Sequence, residues 1–215
     1  RSTVKKKGGK RSKKQAVRKP RAGKPKAKAG KRMSGLDAAA KVLGEAKGPL
    51  NAKAIVERML RIARAGSDEG GSVDVEKFLL KSEERYTSWA SEKHIHLQSK
   101  ITGEALYAAI SEELLSELLD TVVGNAIKYT PAQGHVEIAV SAEHDANSIH
   151  LTVSDSGPGI PADQREIIFM PFSRGASAKD STVRGLGLGL TYARTIAESS
   201  GGTIRADVSD WGGAH

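Results

Sequence analysis

The sequence predicts an α/β domain with a mixed sheet, preceded by a helical pair and by an arm that has almost nothing to bury. Three observations predict it. "HVEIAVSA" (135–142) and "SIHLTVS" (148–154) alternate apolar and polar residues, the period of half-buried strands. Between Ser111 and Tyr129, Leu114, Leu115, Leu118, Leu119, Val122 and Ala126 recur at helical spacing. Charge is segregated: of 34 Lys and Arg in the 215 residues, 16 fall in residues 1–32, which contain no acid. The remainder, carrying all 25 Asp and Glu, is net acidic.

The composition bounds the function. There is no cysteine, which excludes a disulfide framework and any thiolate metal site. No run of 18 apolar residues and no signal-peptide pattern occurs, so no membrane span is expected in this chain, and a cytoplasmic location fits. Residues 1–33, rich in Lys, Arg, Gly, Pro and Ala, are expected to be a disordered tail. Such a tail suits either non-specific nucleic acid, through phosphate contacts of residues 1–32, or a solubilising role. Without an aromatic residue it has nothing on which to stack a base.

Residues 34–66 read as a helical hairpin. Ser34 is placed to cap "LDAAAKVLGEA", "KGPLN" interrupts, and Asn51 is placed to cap "AKAIVERMLRIARA", where Ile55, Met59 and Ile62 share a face. "MSGLDAAAKVLGEAKGPLNAKAIVERML" resembles the opening of a HARE-type winged helix-turn-helix domain, without the third helix and wing of that family. The second helix equally reads as one leading into a catalytic domain. Residues 67–72 are a linker by composition.

From residue 73 the chain is mixed. "DVEKFLLKSEERYTSWASEK" reads as a helix and "HIHLQSKI" as a strand; the long helix ending at Tyr129 follows, then two strands joined as a hairpin across "EHDAN". A last helix is expected over about 188–199, and "GGTIRADVS" as a further strand.

Four stretches carry chemistry. "GNAIKYTP" ends the long helix, with Asn125 and Tyr129 one turn apart on one face and Lys128 beside them. "DSGPGI" (155–160) ends a strand, "IFMPFSRG" follows, and "RGLGLGL" opens the last helix. Together they suit a nucleotide. An amide oxygen such as that of Asn125 is a hard ligand for the Mg²⁺ that accompanies ATP, and Lys128 supplies a point charge for phosphate. The Asp155 carboxylate can accept from an exocyclic amine, Gly157 and Gly159 let backbone approach a flat base, and Gly185, Gly187 and Gly189 leave N–H groups open at a helix start. Individually each has a plainer reading: a helix-bound Asn, a core Tyr, a turn, a hinge.

In this order, over roughly residues 72–213, the set resembles the ATP-binding catalytic domain of sensor histidine kinases, in the wider GHKL family with gyrase, Hsp90 and MutL. "NAIKYTP" is similar to the N box, "DSGPGI" to the G1 box, "IFMPFSRG" to the F box and "RGLGLGL" to the G2 box. The resemblance implies the Bergerat ATP-binding fold, a two-layer α/β sandwich, for residues 73–215. It assigns Asn125 to Mg²⁺, Lys128 to the phosphates, Tyr129 to base or ribose and Asp155 to the adenine amine, with Asn125 and Lys128 as the catalytic pair. Nucleotide contact would extend to Ile160, Phe169, Phe172, Arg174, Leu186 and Leu188, under a mobile lid at 173–184. The implied partners are a histidine-bearing acceptor domain in trans and a response regulator.

Three departures stand against the pattern. Thr121 occupies the position, one turn before Asn125, where an Asn or acid is usual. Of six histidines only His144 precedes an acid, Asp145, and that pair falls in the expected hairpin turn; His94, His96, His135 and His150 fall in expected strands. The family also runs on into one more strand after "DVSDWGGAH". The expected function is transfer of the ATP γ-phosphoryl group to a histidine not identifiable in this chain. The alternatives are a non-catalytic ATP-gated module and a nucleic-acid-associated protein led by the tail.

Overall fold

The structure is a computed structural model that describes residues 41, 52–64, 71–103, 106–142, 148–173 and 186–215. The basic tail, the first helix of the expected hairpin apart from Lys41, the "EHDAN" turn with His144, and residues 174–185 lie outside the described residues.

Helix α1 spans Ala52–Arg64. Strand β1 (Val73–Asp74) leads into α2 (Val75–Glu92), then β2 (His96–Thr102), β3 (Tyr107–Ala108), α3 (Glu112–Tyr129), β4 (His135–Ala142) and β5 (Ile149–Asp155). Two 3₁₀ turns, Ala162–Gln164 and Ile167–Phe169, precede α4 (Gly189–Ser199). Local chemistry fixes the starts: Asp74 accepts from the Lys77 N–H at 3.1 Å and Ser111 from the Leu114 N–H at 3.3 Å, each satisfying an orphan donor. Glu112 and Glu113 in the first turn of α3 and Lys128 in its last complement the helix dipole.

The main sheet has the order β2-β4-β5, with β2 parallel and β5 antiparallel to β4. The register sets Leu97 opposite Val136 and Ile138 opposite Val153. Alternation then turns Val136, Ile138 and Val140 inward, each almost fully buried, while His96, His135 and His150 stay exposed. Helix α2 packs on β2, and α3 on β4 and β5, so helices cover one face of the sheet in the expected two-layer α/β sandwich. Helix α4 lies against α3, and α1 lies against both. Ile55, Val56, Met59 and Leu60 of α1 enter the same buried cluster as Leu119, Tyr192 and Ile196.

Two expectations need correction. Residues 201–209 form no strand: only an isolated bridge, Val208 with Ala214, survives there. The segment turns back on itself instead, Asp207 and His215 exchanging backbone bonds of 2.7 and 3.0 Å, because "SDWGG" is turn chemistry and Ser209 N–H closes onto the Gly213 carbonyl at 3.0 Å. His94 precedes β2 rather than lying in it, with φ 56°, in the turn that follows α2.

Candidate nucleotide site

The site forms where α3 ends, β5 ends and α4 begins. Asp155 is the last residue of β5 and is buried. Its Oδ1 accepts the Gly157 N–H at 2.8 Å and the Ala214 N–H at 3.1 Å. Among the described residues Oδ2 has no hydrogen-bond partner, leaving one carboxylate oxygen for a ligand. Burial pushes the Asp155 carboxyl above the usual carboxylate range, and the two backbone N–H groups hold it back.

Gly157 ties this loop to α3: a Cβ there would stand 3.2 Å from the Tyr129 carbonyl oxygen and 2.9 Å from Asp155 Oδ1. The close approach sets Asp155 beside the turn that carries Tyr129. Asn125 and Tyr129 are half-buried, as is Lys128. Lys128 lies one turn beyond Gly124 and lines a groove between α2 and α3 with Trp89, Glu92, Lys93 and Ile127, its Nζ 5.2 Å from the Tyr129 ring centre. The end of α3 is held by Lys93, whose Nζ donates to the carbonyls of Ile127, Lys128 and Thr130. Burial lowers the Lys93 pKa from its ordinary value.

Thr121 shows which way this face of α3 points. Its Oγ1 donates to the Glu117 carbonyl at 2.8 Å, and its methyl would lie 3.3 Å from a Cβ at Gly189. The Thr121–Asn125–Tyr129 face therefore opens toward the start of α4. Among the described residues that helix has no side-chain cap, which leaves its first N–H groups open to an anion. Gly187, at φ 70°, accepts the Phe172 N–H at 2.9 Å and joins the 3₁₀ segment to the helix start.

The remaining expected residues divide. Phe169 is buried beneath the Arg194 guanidinium, 4.1 Å above its ring, with its carbonyl bound by Thr191 Oγ1 at 2.9 Å. Leu188 is core. Phe172 and Leu186 are exposed and Ile160 is half-buried. Gly159, at φ 68°, packs against the Gly212 carbonyl, 2.8 Å from where its Cβ would be. Arg174 and Gly185 lie outside the described residues, as does the expected lid beyond Ser173. Lys93 and the Gly213–Ala214 backbone were not foreseen; the paired glycines of "WGGAH" were the one signal for the latter.

The family of histidine kinase-, DNA gyrase B- and HSP90-like ATPases matches residues 110–215, and that part of the chain is a domain of this family. Sensor protein RstB of Escherichia coli (strain K12) is 36% identical over 123 residues, 57% of this chain and 27% of RstB. Sensor protein KdpD of the same organism is 35% identical over 173 residues, 77% of this chain and 18% of KdpD. A solved structure of a mycobacterial sensor histidine kinase, MprB, aligns with TM-score 0.59 at 28% identity, over 67% of this chain and 93% of that chain. The chain thus spans about a fifth to a quarter of the length of the curated relatives it matches. Among the described residues no helix is long and apolar enough to cross a membrane.

Proposed function

We propose that the chain is the ATP-binding catalytic module of a two-component sensor histidine kinase, passing the γ-phosphoryl group of ATP to a histidine of an acceptor domain supplied in trans, which then serves a response regulator. The observation that carries this reading is the Asp155 carboxylate. It is buried, has one oxygen saturated by two backbone N–H groups, and sits against the Tyr129 turn. The Gly157 bond closes an Asx turn through Oδ1 alone, and an exocyclic amine would complete the carboxylate at Oδ2.

In this reading Asp155 Oδ2 takes the adenine amine, Tyr129 flanks base or ribose, and the uncapped start of α4 faces the phosphates. Lys128 adds a positive charge on a four-carbon stem. Bound Mg²⁺ would neutralise phosphate charge, and Asn125 offers it an amide oxygen. The described residues hold no cluster of three or more His, Asp or Glu that suits a metal. Mg²⁺ beside a nucleotide is commonly held by one or two protein groups together with phosphate and water. Asn125 and Lys128 act by positioning and charge, which is most of what phosphoryl transfer asks of a protein.

A second reading, an ATP-gated module without transfer, is favoured by Thr121, whose hydroxyl hydrogen is committed to the Glu117 carbonyl at the position where the family carries an Asn or acid. Labelled ATP with Mg²⁺ separates the two. Kinase activity predicts acid-labile, base-stable label on a separately supplied acceptor-helix domain and none on this chain's own six histidines. ATP binding without label on any acceptor would select the second reading.

A further inference from the structure

We infer that Ser209, with the Gly213–Ala214 backbone, is a positioning clamp that aims the Asp155 carboxylate at the base. This inference deepens the nucleotide reading and rests on it. Ser209 is buried, 4% exposed, in a tail whose flanking residues Val208 and Asp210 are exposed. Its Oγ donates to the Asp155 carbonyl at 2.6 Å and accepts the Gly213 N–H at 3.0 Å. One hydroxyl therefore binds the base-side strand and the tail together.

The next residues complete the grip. The Ala214 carbonyl accepts the Asp155 N–H at 2.9 Å, while the Ala214 N–H donates to Asp155 Oδ1. Gly213 is buried directly over this strand end, and any Cβ there would stand far inside van der Waals contact distance of the Asp155 carbonyl oxygen. Asp155 is thus held at its carbonyl by the Ser209 hydroxyl, and at its N–H and one carboxylate oxygen by the Ala214 backbone of the same tail. The tail is itself docked on the sheet by Trp211 against His135, ring centres 5.7 Å apart, and by His215 Nδ1 at 3.1 Å from Ser154 Oγ.

The chemistry gives this clamp a role that general stability would not. With Oδ1 bound by Gly157 and Ala214, rotating the carboxylate breaks both bonds, and Oδ2 is the oxygen presented. Released, Asp155 samples other rotamers, and its contact with an exocyclic amine weakens while contacts to ribose and phosphate do not. By linkage, a nucleotide that fixes Asp155 also tightens the tail.

The test compares ATP with inosine triphosphate, which carries a carbonyl where adenine carries its amine. Affinities for both, with Mg²⁺, are measured by calorimetry on the chain and on Ser209→Ala, Asp155→Asn and Gly202→Ala. Gly202 lies in the turn after α4, where a Cβ meets ordinary contact distance. The preference for ATP over inosine triphosphate should fall about fivefold in Ser209→Ala and be unchanged in Gly202→Ala. A ratio is insensitive to partial unfolding, because both nucleotides report on the same folded molecules. If Asp155→Asn abolishes the preference and Ser209→Ala leaves it intact, the clamp is overturned and the nucleotide reading stands. If Asp155→Asn leaves the preference intact, both fall. Should Ser209→Ala fail to fold, hydrogen exchange on the unaltered chain decides: ATP slows exchange of the Ala214 amide if the clamp is coupled to the base, and an unchanged rate overturns it.

Discussion

Lys93 Nζ lies 2.6 Å from the carbonyl oxygen of Lys128, and the same ammonium reaches the carbonyls of Ile127 at 3.0 Å and Thr130 at 2.5 Å. The last carbonyls of a helix are orphan acceptors at the negative end of its dipole. Here a residue from the end of α2 satisfies three of them and thereby fixes the turn that carries Tyr129. Lys93→Met keeps the stem and removes the donors. The expected loss is about 2 kcal/mol of stability, seen as a fall of about 4–8 °C in Tm.

Asp155→Asn removes the charge that the proposed function assigns to the adenine amine, while keeping the shape. ATP affinity should drop by about 10- to 150-fold, the equivalent of about 1.5–3 kcal/mol for a charge-assisted hydrogen bond. The pH dependence has a definite sign. Burial raises the folded pKa of Asp155 above its ordinary 3.8. Ionising it therefore costs more in the folded chain than in the unfolded one, and stability contributed by the neutral acid is lost as pH rises through the raised value. ATP affinity runs the other way: it falls as pH drops through that same raised value, earlier in acid than an ordinary carboxylate would require. Calorimetric titrations across acid pH should show this limb in the unaltered chain and none in Asp155→Asn.

What was legible in the sequence was local. Strand β4 begins and ends where its alternation does, and α3 starts one residue after the expected Ser111, which serves as its cap. Asp155 was legible because an acid followed by glycines has no reason to end an alternating strand. The pairing of β1 with β3 was not, since two residues carry no period and their partners lie more than 30 positions apart. Lys93 was equally silent: its acceptors are about 35 residues away, and nothing near it marks it as a cap. The expected strand at 201–209 failed because β propensity was read without the turn chemistry of "SDWGG" behind it. At the site, the glycines of "DSGPGI" were read as making room for a base. Their Cβ positions are closed by the protein's own backbone, Tyr129 for Gly157 and Gly212 for Gly159.

Met59 tests where the domain begins. A helical hairpin over 34–66 would be a unit apart from residues 73–215, yet Met59 is 2% exposed in a cluster shared with Leu119 and Tyr192. If α1 belongs to that core, Met59→Ala costs about 2–5 kcal/mol through lost contact and a residual cavity. Urea unfolding followed through α/β-domain signals should then show a lower midpoint with an unchanged slope. An unshifted midpoint would return α1 to a separate unit.

Gly187 separates backbone strain from site assembly. At φ 70° a side chain is disfavoured, and a Cβ would also stand 2.7 Å from the Ser173 carbonyl oxygen and 2.8 Å from the Phe172 carbonyl carbon. Gly201 has a similar φ of 79° with nothing within 4 Å of the Cβ position. Both alanine variants should pay about 1–2 kcal/mol for the left-handed conformation. Only Gly187→Ala must also push the Phe172–Ser173 backbone away from the start of α4, lengthening the 2.9 Å bond from the Phe172 N–H to the Gly187 carbonyl. Because that start faces Thr121 and the Asn125 side of α3, ATP affinity should fall in Gly187→Ala and hold in Gly201→Ala at matched stability. Equal ATP affinity in the two variants, measured by calorimetry at a temperature where circular dichroism shows both folded, would mean that the 172–187 junction does not shape the phosphate end of the site.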